Sequence, residues 1–162
     1  MALIYQGGTL MKIITAEKKD FKNVKNITTT TIESIYPHYY PCGAVEFFLN
    51  HHNDSNIQSD IESGIVYLCI DDNNAVGTVT VRENEICRLF VLPEYQGKGF
   101  GRELILFAEK KISETFSTII LDASLPAKSI YLKRGYVPVE YHSIKTDNGD
   151  YLCYDLMEKR IN

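Results

Sequence analysis

The sequence predicts an α+β fold in α/β/α layers: helices on both faces of one mixed, mostly antiparallel sheet. Three observations predict it. Apolar, strand-like runs follow one another through tight polar turns at Asp71-Asp-Asn-Asn74 and Glu83-Asn84, which makes them antiparallel neighbours. From Glu85 to Asp122 the order is strand, glycine-rich loop, amphipathic helix, buried strand, the grammar of a right-handed parallel crossover. Asn148-Gly149 separates the last two strand-like runs and is the strongest hairpin signal in the chain. Helices then pack on both faces of a single sheet.

The elements follow in order. Residues 1–10 stand apart from a fresh start at Met11 and are expected as a weakly ordered extension, with an edge strand as the alternative; 11–162 are expected as one domain. Met11–Ala16 reads as a short strand. Lys19–Ile35 places Phe21, Val24, Ile27, Thr31 and Ile35 near helical spacing, though four consecutive threonines from Thr28 are poor helix formers and predict irregularity. Two prolines and a glycine make Tyr36–Gly43 a loop. Short helices are expected over Ala44–Asn53 and Ser55–Ser63, then strands over Ile65–Asp71, Ala75–Arg82 and Glu85–Leu92. Gly101–Thr115 is the clearest helix: Leu104, Ile105, Ala108 and Ile112 form its apolar stripe. A buried strand over Thr118–Asp122, a helix over Ala127–Arg134 stopped by Gly135, and strands over Val139–Lys145 and Tyr151–Lys159 complete the chain.

Composition narrows the function. The chain has 162 residues, 44% hydrophobic and 23% charged, with a net charge of −4, which suits one soluble globular domain. No basic patch argues for nucleic acid, and no apolar run approaches the roughly 20 residues of a membrane span. Cys42, Cys69, Cys87 and Cys153 form no Cys-x-x-Cys pair; free thiols and a reducing cytoplasm are expected. His38, His51, His52 and His142 show no metal-ligand spacing, so no metal is expected.

Gln96-Gly-Lys-Gly-Phe-Gly101 lies between an apolar strand and the start of an amphipathic helix. Glycines let backbone N–H groups approach a ligand, and a helix start carries orphan donors and partial positive charge. Together they seat phosphate; the plainer reading is a tight turn. A dinucleotide fingerprint fails because Arg102 stands at its third glycine position, and a P-loop fails because Gly97-Lys98 is followed by Gly99 where the motif needs Ser or Thr. The hexapeptide matches Gln/Arg-x-x-Gly-x-Gly/Ala. Downstream, Tyr131-Leu-Lys-Arg-Gly135-Tyr136 matches Tyr-x-x-x-Gly-Phe/Tyr. On these two motifs the chain resembles the GNAT superfamily of acyl-CoA N-acyltransferases, from about Met11 to Lys159 and most clearly from Ile65 onward.

The resemblance implies acetyl-CoA as cosubstrate. Amides of Gly97, Lys98, Gly99, Phe100 and Gly101 would grip its pyrophosphate behind Gln96, Lys98 and Arg102 would flank the phosphates, and the main chain of Leu89, Phe90 and Val91 would hold the pantetheine arm and thioester carbonyl. Ser124 stands where the family often has Asn; with Ala127 it would border the cofactor, and as a serine it caps the following helix. Tyr131 would protonate the departing thiolate, since a phenol near pKa 10 outlasts a thiol near 8.5 as a proton carrier. Glu85, eleven residues before Gln96, would take the proton of an acceptor ammonium, with Glu83 as its competitor. Tyr36, His38, Tyr39 and Tyr40 either line the acceptor pocket or cover the core; the pocket is the expectation. The expected acceptor is a small-molecule or peptide amine, and a homodimer through an edge strand is compatible. The rival readings are a non-catalytic acyl-CoA-binding module and a different nucleotide-phosphate enzyme.

Overall fold

A computed structural model describes residues 2–6 and 9–161, with side chains from Met11 to Ile161. Eight strands form one sheet: β1 (Ala2–Gln6), β2 (Thr9–Thr15), β3 (Val66–Asp71), β4 (Asn74–Arg82), β5 (Glu85–Val91), β6 (Thr118–Ser124), β7 (Val137–Lys145) and β8 (Tyr151–Arg160), in the spatial order β1-β2-β3-β4-β5-β6-β8-β7. Among the described residues only β5 and β6 pair in parallel. The mixed sheet of the sequence reading is therefore present. In the leader, Ala2–Gln6 forms a strand that pairs antiparallel with β2; residues 1, 7 and 8 lie outside the described residues.

Five helices cover the two faces. α1 (Phe21–Ile35), α2 (Cys42–His51) and α3 (Asp54–Glu62) pack with Val66, Leu68, Ile70 and Phe90 of the sheet. α4 (Phe100–Ser113) lays Leu104, Ile105, Ala108 and Ile112 on the other face against Val79, Ile119 and Leu121. α5 (Leu125–Lys133) follows β6 directly. Among the described residues no helix is long and apolar enough to cross a membrane.

The threonine run does not break α1, which is continuous from Phe21 to Ile35. Thr28 and Thr31 face inward, and the Thr31 hydroxyl donates to the Val91 carbonyl at 3.2 Å. The second helix starts at Cys42, two residues earlier than the sequence indicates, because its first turn is capped from afar. The Gly43 N–H donates to Asp150 Oδ2 at 2.9 Å, across 107 residues of chain. The hairpin between β3 and β4 places both Asp72 and Asn73 at positive φ (+45° and +70°), the type I′ conformation that matches strand twist.

Candidate active site

β5 and β6 are hydrogen-bonded neighbours at only two levels, Glu85 with Ile120 and Ile86 with Leu121. Beyond them each strand follows its other partner: β5 stays with β4 as far as Val91, and β6 stays with β8 as far as Ser124. A bulge starts the separation. Thr80 pairs with Arg88 and Val81 with Ile86, which leaves Cys87 unopposed and bends the strand. The Leu92 N–H donates to the Val76 carbonyl at 2.9 Å. Antiparallel ladders alternate, so the main chain of Phe90 and Arg88 turns to β4 while that of Leu89 and Val91 turns into the gap. Phe90 thus departs from expectation: its main chain belongs to the sheet, and its ring packs near Tyr36 and His52. The Val91 carbonyl is occupied by Thr31 and by Gln96 Nε2 (2.9 Å). The Val91 N–H and both main-chain groups of Leu89 are left facing the gap.

The glycine loop lies at the end of β5. Gly97 (φ +74°) and Gly99 (φ +92°) occupy backbone space that disfavours side chains, and Gly99 is the N-cap of α4 with no side-chain cap. Gly101 differs: it is helical, and a Cβ there would meet only Val91 Cγ2 at an ordinary 3.7 Å. The fold does not require glycine at that position, yet it lines the cleft with Gly97, Gly99 and Arg102. Lys98 and Phe100 are placed otherwise. The Lys98 ammonium sits 5.1 Å from the Tyr95 ring centre, and the Phe100 side chain is buried edge-on against the same ring. Only the backbone of these two residues belongs to the loop's seat.

The gap opens into a cleft of about 830 Å³, within the usual range of ligand sites. Tyr131 of α5 lines it, 7% exposed, and among the described residues its hydroxyl has no hydrogen-bond partner. Burial raises its pKa, so the phenol keeps its proton throughout the neutral range. Its ring rests against Tyr136, whose hydroxyl donates to Glu109; Arg134 donates to the same carboxylate at 2.9 Å. Ser124 and Ala127 border the cleft. Ser124 holds the N-cap position of α5 without a side-chain cap bond; its Oγ accepts from the Tyr36 hydroxyl at 3.2 Å. The Leu125 N–H donates instead to the Tyr40 hydroxyl (2.7 Å), which itself donates to the Cys153 carbonyl (3.0 Å).

Of the four residues expected to shape the acceptor pocket, only Tyr36 lines the cleft. Tyr40 is a buried brace between α5 and β8, while His38 and Tyr39 face solvent. The single 3-10 turn at Tyr36–His38 explains the split: Tyr36 and Tyr40 point in, and the residues between them point out.

At the far end of the cleft stands Glu85; Glu83 occupies the adjoining turn at φ +53° and does not line it. Three other residues escaped the sequence reading. Arg88, 4% exposed, donates to Asp60 Oδ2 (3.0 Å), Thr80 Oγ1 (2.9 Å) and His52 Nδ1 (3.3 Å). Burial and the neighbouring Arg88 charge pull His52 down to about 3, so the ring is neutral. Asp122 opens onto the same cleft from β6. A charge inside an apolar strand was the available signal for both Arg88 and Asp122, since such positions are rarely charged without a purpose.

A family model for the acetyltransferase (GNAT) domain matches residues 35–152. The chain belongs to the GNAT acetyltransferase family. It is an acyltransferase of that family. Solved structures with the same fold include a GCN5-related N-acetyltransferase from Rhodopseudomonas palustris (TM-score 0.84, 21% identity, 93% of this chain and 95% of that one). The PaiA N-acetyltransferase from Thermoplasma acidophilum, solved with coenzyme A, superposes with TM-score 0.70 at 21% identity over 93% and 98% of the two chains. Arabidopsis thaliana Naa50, in complex with the bisubstrate analogue CoA-Ac-MVNAL, does so with TM-score 0.67, 21% identity and 93% and 99% coverage. No curated protein matches the sequence. The residues present suit the GNAT donor: a loop of free amides, a cleft-lining Gly101 that the fold itself does not require, and an unpaired strand edge.

Proposed function

We propose that this GNAT domain, residues 11–162, moves an acetyl group from acetyl-CoA to a primary amine of a small molecule or peptide by direct attack, with both substrates held together. The observation that carries the proposal is one continuous cleft in which the glycine loop, the Leu89–Val91 edge, Tyr131 and Glu85 all take part. Acetyl-CoA supplies the activated acetyl thioester. The loop amides and Arg102 hold its pyrophosphate, the N–H groups of Leu89 and Val91 hold the pantetheine arm and thioester carbonyl, and Ser124 and Ala127 wall the cavity. A GNAT neighbour solved with a bisubstrate analogue supports joint occupancy.

Direct attack fits the one thiol that lines the cleft among the described residues. Burial pushes Cys87 up to about 12, so it stays a protonated, sluggish nucleophile and offers no route through an acyl-enzyme. Tyr131 presents its proton to the departing thiolate. The acceptor ammonium gives its proton to a carboxylate at the other end, for which the family resemblance implies Glu85. Four unpaired cysteines support action in a reducing cytoplasm.

A panel of primary amines incubated with acetyl-CoA, read by thiol release, tests the proposal. Release above the hydrolysis background with at least one amine is expected. CoA binding with no turnover across the panel would instead favour the non-catalytic acyl-CoA-binding module.

A further inference from the structure

We infer that Asp122 is the carboxylate that takes the proton from the acceptor's ammonium, with Glu85 lying too far toward the closed end of the fork to take it first. The inference rests on the acetyl-transfer reading of the cleft.

Position carries it. On β6, Ile119, Leu121 and Ala123 are buried toward α4. Alternation therefore turns Asp122 to the opposite face, the one on which Arg88 and Phe90 meet His52 and Tyr36. The last paired level of the parallel strands is Ile86 with Leu121. Asp122 is the next residue, at the point where the strands part and the free edge of Leu89 and Val91 begins. Glu85 is level with Ile120, two residues farther back, about 7 Å along the strand. Glu85 also faces Arg82 across its hairpin. Among the described residues the Asp122 carboxylate has no hydrogen bond or ion pair, although it lines the cleft.

The rival bases fall away on geometry. His52 spends Nδ1 accepting from Arg88, so its other nitrogen carries the hydrogen and can only donate. Arg88 and Arg82 both answer Asp60. The groups that face Asp122 are His51 from α2, His142 from β7, Tyr154 from β8 and, two levels back, Glu85 from β5. Asp122 stays open to solvent at the cleft, and the partial desolvation it meets there raises its carboxyl above the ordinary value against the pull of His142 and His51.

The proton balance closes. One ammonium proton moves to Asp122, the freed nitrogen forms the bond to the acetyl carbon, and the carbon–sulfur bond breaks. The thiolate takes the Tyr131 proton, a second proton from the new amide nitrogen restores Tyr131, and Asp122 returns its proton to solvent.

The test compares Asp122→Asn, Asp122→Glu and Glu85→Gln with wild type. Readouts are CoA affinity by calorimetry, carboxyl titration by carbon-13 NMR, and the pH profile of kcat/KM with whichever panel amine wild type turns over fastest. Asp122→Asn is expected to keep CoA affinity within twofold, to lose one upward-shifted carboxyl titration, and to lower kcat/KM about 100-fold with its acidic limb gone. Asp122→Glu should recover part of the rate, and Glu85→Gln should keep the acidic limb whatever its rate. Full rate and an intact acidic limb in Asp122→Asn, or their loss in Glu85→Gln alone, overturns the inference and leaves acetyl transfer standing. Wild type that binds CoA and acetylates no amine overturns both.

Discussion

At the residue scale the account turns on hydroxyls and carboxyls with few partners. Tyr131 has a buried ring and an unclaimed hydroxyl in the cleft. Tyr131→Phe removes only the proton carrier, so kcat should fall about 100-fold while CoA affinity holds, as measured by steady-state kinetics beside calorimetry. Tyr40 is the opposite kind of tyrosine, since both of its hydrogen bonds go to backbone. Tyr40→Phe orphans the Leu125 N–H at the start of α5 and should cost about 1–3 kcal/mol in urea denaturation. His52 titrates near 3 in the fold against an ordinary 6.5, so the unfolded chain binds more protons between those values. Stability from this group is therefore full above about pH 6.5 and lost as pH falls toward 3. His52→Gln should flatten the fall of melting temperature between about pH 6.5 and 5, where most carboxylates are still ionised. The one-dimensional pattern hid these assignments: Tyr36, Tyr39 and Tyr40 look alike in sequence, and only the 3-10 turn decides which points inward.

At the element scale the site is made by two strands that part and a loop that fills the opening. The sequence made the loop legible because its glycines sit between a strand run and a helix run. It hid the splay, which depends on the bulge at Cys87 and on β6 keeping its pairing with β8. Long-range capping was hidden for the same reason. Two prolines and Gly43 read as a loop, but Asp150 supplies the missing cap to α2 from the β7–β8 turn. That turn is held close: a Cβ on Gly43 would collide with Asn148 Oδ1, which accepts from the Thr146 hydroxyl. Gly43→Ala should destabilise by about 1–3 kcal/mol, measured by thermal or urea unfolding, because the turn must move off α2.

At the scale of the whole molecule, the order of strands and helices was readable almost throughout, since periodicity and turn residues report local structure. What joins distant segments was not: Arg88 with Asp60, Tyr40 with Leu125, Asp122 with the mouth of the fork. The assembled fold brings a helix start, a free strand edge and an acidic far end into one cleft, and each alone has a bland explanation. Gly101 separates a ligand seat from a mere turn. An acidic side chain in the first turn of a helix favours the helix dipole by about 0.3–1 kcal/mol, and the space beside Gly101 admits a Cβ. Gly101→Asp should therefore fold as well as wild type, while a carboxylate in the seat repels phosphate. Calorimetric titration of CoA into wild type and Gly101→Asp, with ATP and NAD as competitors, tests this most directly. The account predicts wild-type preference for CoA over both competitors and at least a 30-fold loss of CoA affinity in Gly101→Asp at unchanged melting temperature. Equal CoA affinity in the two proteins, or tighter binding of ATP or NAD than of CoA, would contradict it.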